Sequence, residues 1–134
     1  DHRKLVNMMH VVNATGLCMF GYISLNAQSI PDFMGSVIGW DVDIEECLET
    51  GERIGTVRHL FNLREGLNPR KFKVPGRVLG NPPLEKGNVR GLTVNLDVMA
   101  KEYLELMDWD VETARPRERR LRELGLADLV SVLP

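Results

Sequence analysis

The segment from Asp43 to Gly66 restricts the fold most. Asp43 is placed to accept from the backbone N–H groups of a first helical turn, and Glu46 stands three residues on, the spacing of a capping box. From there Ile44, Cys47/Leu48, Gly51, Ile54, Val57 and Leu60/Phe61 recur every three or four residues. They form one stripe on one long helix. Asn62-Leu63-Arg64-Glu65-Gly66 closes it, with Gly66 as the residue just past the end. Gly51 falls inside the stripe, where glycine costs about 1 kcal/mol against alanine. Close approach of a second helix is expected there.

Other elements follow from the same periodicity. Leu5, Met8 or Met9, and Val12 share one face of a first helix, and Gly16 marks a turn after it. Met19 to Ala27 suits a second short helix. Pro31 suits a first helical position, opening a helix with Phe33, Met34, Val37 and Ile38 that Gly39 closes. Trp40 is expected as a packing anchor. Residues 67–95 carry Pro69, Pro75, Pro82 and Pro83 among Gly76, Gly80, Gly87 and Gly91. With Phe72, Val74, Val78, Leu79 and Leu84 as anchors, they read as an ordered wrap across the surface, not a flexible linker. Leu96, Met99, Tyr103, Leu104 and Met107 then place a helix at about 97–108. Trp109 follows it. Pro116 opens another helix with Leu121 and Leu124 inward and Gly125 at its end, and Ala127 to Val132 add one more turn. No strand alternation persists beyond Leu92–Leu96. The predicted class is all-α: a single domain over 1–134, an irregular bundle of five to seven helices with a long Pro/Gly-rich ordered loop at 67–95.

Composition removes several function classes. The chain has 134 residues, 43% hydrophobic and 27% charged, which is a globular composition. A folded chain of this size exposes roughly 7,000 Å². Seventeen basic against nineteen acidic residues argue against nucleic-acid binding. No apolar run approaches the roughly 18 residues of a membrane span. Two cysteines make no disulfide framework, so a reducing cytoplasm is the expected compartment. Two cysteines also cannot by themselves present a four-cysteine metal site. Arg115, Arg117, Arg119, Arg120 and Arg122 read as a solvated helix face paired with Glu118 and Glu123. Arg53, Arg58 and Arg64 read as partners in structural ion pairs, and Cys47 as core. His10 reads as a surface or satisfied histidine, while His2 and His59 carry no constellation. No Ser-His-Asp or Cys-His-Asn arrangement is supported by spacing. Met8, Met9 and Met19 are expected to meet further domains. The chain lacks an initiator Met and enters helical periodicity almost at once, which is expected of a piece of something longer.

Cys18 has two readings on its own. It is either a small buried hydrophobe after a helix, or a thiolate ligand presented beyond the Gly16 turn. The surrounding Asn13-Ala14-Thr15-Gly16-Leu17-Cys18 resembles the D-x-x-G-L-C motif near the C-terminus of the aldehyde ferredoxin oxidoreductase family. Gly51-Glu52-Arg53-Ile54 and Leu60-Phe61-Asn62-Leu63-Arg64-Glu65-Gly66 are similar to that family's G-E-R-I…L-F-N-x-R-E-G blocks. Leu96-Asp97-x-Met99, Glu102-Tyr103 and Trp109-Asp110 resemble its L-D-x-M…E-Y…G-W-D block. Leu121-x-x-Leu124-Gly125-Leu126 is similar to its closing L-x-x-L-G-L. The order and spacing agree from about residue 13 to 130.

The resemblance implies an oxidoreductase that converts aldehydes to carboxylates and passes electrons to ferredoxin. Its cofactors would be a tungsten (or molybdenum) bis-pyranopterin and a [4Fe–4S] cluster. By that resemblance Cys18 is the cluster's fourth, outlying cysteine ligand, and Asn13, Leu17 and Met19 touch the pterin. The family's motif has Asp where this chain has Asn13. A carboxamide offers one acceptor oxygen without charge assistance, a loss of about 1–2 kcal/mol at that contact. The other cluster cysteines and the acid–base groups are not in these residues. The chain is therefore expected to be the C-terminal helical domain of a longer oxidoreductase chain, with upstream domains of the same polypeptide as partners. It would have no catalytic residue, no activity and no cofactor when isolated. The rival reading is a free-standing helical interaction module without cofactor.

Overall fold

The computed structural model describes residues 2–132. Six α-helices follow in order: α1 (His2–Thr15), α2 (Met19–Ile23), α3 (Ser29–Ile38), α4 (Ile44–Arg64), α5 (Leu96–Leu106) and α6 (Glu118–Glu123). Short 3₁₀ turns lie at Pro69–Lys71 and Ala127–Val132. Among the described residues the only extended pairing is one bridge between Trp109 and Pro116. The class is all-α, as the periodicity predicts.

The long helix α4 is the spine. The Asp43 carboxylate accepts from the Glu46 N–H at 2.7 Å. At the far end Gly66 sits at φ 82°, Leu67 N–H reaches Asn62 O at 2.8 Å and Gly66 N–H reaches Leu63 O at 3.0 Å. This is a Schellman ending, which satisfies two carbonyls left open by the last turn. Helix α1 crosses α4 at Gly51. A Cβ there would stand 1.9 Å from the Asn7 carbonyl oxygen, so the two backbones touch and only glycine fits. At Gly55, one turn on, the vacant side is taken by the His10 ring.

Beyond Gly51 the buried face of α4 departs from the apolar stripe. It runs through Glu52, Thr56, His59, Leu60 and Leu63, while Val57 and Phe61 are exposed. Glu52 and His59 are tolerated inside because other groups meet them, whereas the buried Thr56 hydroxyl has no hydrogen-bond partner among the described residues. Arg120 and Asn7 bond Glu52, and the Ala114 carbonyl accepts from His59. Two apolar clusters flank this polar seam. Met8, Val11, Val12, Ile30 and Cys47 form one, and Leu104, Met107, Trp109 and Ala114 form the other.

Several expectations are corrected. Leu5 is exposed, and α1 buries Asn7, Met8, Val11 and Val12 instead. Met8 is therefore core, not an outward-facing contact, whereas Met9 is half-buried and Met19 exposed. The second helix is only five residues long. Pro31 is the third residue of α3, because the Asn26 carboxamide oxygen accepts from Ser29 N–H at 3.0 Å and starts the helix earlier. Trp40 is 70% exposed and anchors nothing. Pro116 pairs with Trp109, and α6 begins two residues later.

The segment 67–95 is ordered but does not wrap inward. It closes on itself through Val94 N–H to Leu79 O and Gly91 N–H to Leu84 O, both at 2.9 Å. Gly80 is required there, since at φ 71° a Cβ would fall 2.4 Å from the Leu92 oxygen. Phe72, Val78 and Leu84 face outward, and only Val74 and Leu79 are half-buried. The total accessible surface is 9283 Å². That exceeds the expectation for a self-contained chain of this mass by roughly 2,000 Å².

Candidate cofactor-facing site

The candidate site is the α1–α2 junction. Thr15 Oγ1 donates to Val12 O at 2.9 Å, closing the last turn of α1. Gly16 turns the chain at φ 75°, and a Cβ there would meet nothing within 4 Å. Cys18 follows in extended geometry immediately before α2, and its carbonyl accepts from Tyr22 N–H at 3.0 Å. Along this short path Asn13, Leu17, Cys18 and Met19 are each exposed. Phe20 and Ile23, also exposed, continue it as an apolar skirt. Beside it lies a groove of about 280 Å³ walled by Leu17, Phe33, Met34, Val37 and Ile38.

Both cysteines are free, and they differ in character. The Gly21 and then the Phe20 amide hold the Cys18 thiol below its ordinary pKa. Cys47 is buried with its sulfur 3.9 Å from Met34 Sδ. Burial, then Glu46 and Asp43, push its thiol up. Cys18 is thus the accessible and more acidic of the two thiols, and Cys47 belongs to the core. An open, soft, anion-favouring donor beside a bare glycine turn fits a single cysteine ligand to an iron–sulfur cluster. Among the described residues no group of three or more His, Cys, Asp or Glu can hold a metal ion. Any such centre would take most of its ligands from elsewhere.

A second constellation escaped the sequence reading. The His59 ring stacks on Trp109 with centroids 4.0 Å apart and planes 8° off parallel. Its Nε2 donates to the Ala114 oxygen at 2.6 Å. Burial lowers the His59 pKa, opposed by that hydrogen bond. That hydrogen bond ties α4 to the turn after α5. The signal was present: residues 52, 56, 59 and 63 share one helical face.

The arginine run also differs from a simple solvated face. Arg120 reaches inward to Glu52 at 2.7 Å, with the Glu52 side chain 4% exposed. Arg119 holds Asp108 at 2.7 Å, and Arg122 pairs with Glu118 as expected. Arg53 pairs with Glu49 at 2.9 Å and donates to Leu124 O, and Arg64 pairs with Glu65. No described helix is long and apolar enough to cross a membrane.

Comparison with known proteins gives one consistent result. Residues 3–126 match the family model for aldehyde ferredoxin oxidoreductase, domains 2 & 3. The chain is 36% identical over 120 residues to a tungsten-containing aldehyde ferredoxin oxidoreductase of Pyrococcus abyssi, covering 90% of this chain and 20% of that protein. It is 37% identical over 119 residues to the protein of the same description from Pyrococcus furiosus, covering 88% and 19%. The Thermococcus kodakarensis counterpart is 36% identical over 121 residues, covering 90% and 20%. The chain spans about a fifth of the length of these curated relatives.

Proposed function

This chain belongs to the aldehyde ferredoxin oxidoreductase family, and on that premise we propose that it is the C-terminal helical domain forming one wall of such an enzyme's cofactor site. The observation that carries the reading is Cys18. It is an exposed thiol whose pKa neighbouring amides lower, set where the chain reads Asn13-Ala14-Thr15-Gly16-Leu17-Cys18 within the matched residues. The Cys18 sulfur would be one soft ligand of a [4Fe–4S] cluster. The Asn13 carboxamide oxygen would accept one N–H from a pterin edge, and Leu17 and Met19 would cover that cofactor and exclude water. When bound, the cluster and the tungsten or molybdenum bis-pyranopterin supply the electron transfer and the oxidation of aldehyde to carboxylate.

The chain's own residues hold, orient and shield, and none of them is catalytic. The remaining ligands and the acid–base groups belong to upstream domains of the same polypeptide, with ferredoxin as electron acceptor and an aldehyde as substrate. A reducing, cytoplasmic setting suits an accessible thiol of this kind.

The test is metal content in the full-length polypeptide. Cys18→Ala is expected to lose most of its iron and its cluster absorbance, while Cys47→Ala keeps both. Unchanged iron and absorbance in Cys18→Ala would remove Cys18 from this role.

A further inference from the structure

We propose that segment 70–94 is a preformed basic clasp that docks permanently onto an acidic surface of the remainder of the same polypeptide. Charge is segregated along this chain. Arg70, Lys71, Lys73, Arg77, Lys86 and Arg90 stand against the single carboxylate of Glu85, whereas residues 5–52 contain no Lys or Arg and carry the acids from Asp32 to Glu52. All six cations are exposed. Among the described residues none of them forms an ion pair, although the arginines of α4 and α6 pair repeatedly. Lone cations of this density repel one another unless an opposite surface meets them.

The segment presents apolar side chains as well as charge. Phe72, Val78, Val89 and Leu92 alternate with the charges and are exposed. Its internal bonds at Leu79–Val94 and Leu84–Gly91 fix its shape in advance, which lowers the entropy cost of docking. Interleaved apolar and basic side chains on a rigid frame suit a permanent interface more than a transient, mostly polar one. The chain's excess surface of roughly 2,000 Å² is larger than the ~800 Å² that one partner buries in a standard interface. Nucleic acid is disfavoured, because Phe72 is the segment's only aromatic and there is no stacking array. A second copy is disfavoured because a tethered neighbour acts at a far higher effective concentration. The relatives carry about four-fifths of their length outside the matched part.

This inference rests on the membership of a longer polypeptide proposed above but not on the cluster, so the two fail separately. The experiment is lysine acetylation and zero-length carbodiimide cross-linking of the full-length protein, read by mass spectrometry. Lys71, Lys73 and Lys86 are expected to react at least about tenfold more slowly in the native protein than in urea, as for sites that open in fewer than one molecule in ten. They should cross-link to Asp or Glu outside residues 1–134. Arg77→Glu with Arg90→Glu, at exposed positions that leave the helices intact by circular dichroism, should restore their reactivity. Native reactivity equal to that in urea overturns the proposal. So do cross-links confined to Asp32–Glu52 of a second copy.

Discussion

Replacing Gly51 by alanine tests the architecture at its tightest point. The added methyl carbon would lie 1.9 Å from the Asn7 oxygen, 2.5 Å from its carbonyl carbon and 3.0 Å from its Cα. Normal contact is about 3.5 Å, so α1 must retreat by roughly 1.5 Å, and all three atoms are backbone with no rotamer to yield. Overpacking of this kind costs about 1–3 kcal/mol. The retreat also stretches the buried Asn7 Nδ2 to Glu52 bond, now 3.2 Å, whose charged acceptor makes it worth about 1.5–3 kcal/mol. Against this, alanine gains about 1 kcal/mol of helix propensity. The balance is a loss of about 3 kcal/mol, or roughly 10 °C in Tm for a domain of this size. Gly55→Ala is the internal contrast. There the obstacle is the His10 ring at 2.8 Å, a side chain that can swing aside. Its net cost is expected to stay within about 1 kcal/mol. Thermal melting followed at 222 nm measures both. If Gly51→Ala melts within about 2 °C of the parent, or if Gly55→Ala is the more damaging change, the crossing is not where the chain is tightest and the reasoning fails.

Two further outcomes follow from the polar seam. Arg120→Ala strands the Glu52 carboxylate, so urea unfolding should show a loss of about 2–4 kcal/mol, reduced from a fully buried pair because Arg120 keeps some solvent. Arg122→Ala, whose pair with Glu118 is exposed, should cost less than about 0.5 kcal/mol, and equal losses would contradict the seam's role. For His59, and likewise His10, burial lowers the folded pKa, so the unfolded chain binds protons that the native one refuses. Stability is then full above the ordinary histidine value of about 6.5 and declines as pH falls below it, until the folded rings themselves protonate. The urea midpoint should drop between pH 7.5 and 5.5, and a flat profile there would show that His59 is not held neutral.

The long helix, its cap and the crossing at Gly51 were legible because each is written in local spacing: a carboxylate three residues before an amide, an apolar beat of three or four, and a glycine where it is costly. What α4 buries after Gly51 was not legible. Glu52, Thr56 and His59 look like surface residues until Arg120, Asn7 and Ala114, tens of residues away, are folded against them. Trp40 and Phe72 misled for a related reason. An aromatic side chain reveals that it should be covered, but not from which side, and here the rest of this chain does not cover it. Cys18 was ambiguous by chemistry alone. Only the motif around it favoured a ligand over a buried thiol, and the exposed junction after α1 is consistent with that choice. The turn punctuation of residues 67–95 was equally clear, while the self-closure that points its apolar side chains outward depends on pairings such as Leu79 with Val94.

Asp108 sits just past α5 at φ 54°, in the left-handed conformation that Gly66 and Gly125 supply after α4 and α6. A glycine would relax that backbone at once. The aspartate stays because its carboxylate also takes Arg119 at 2.7 Å and Arg117 at 3.5 Å. One residue therefore both ends a helix and, through its carboxylate, ties that end to the start of the next one.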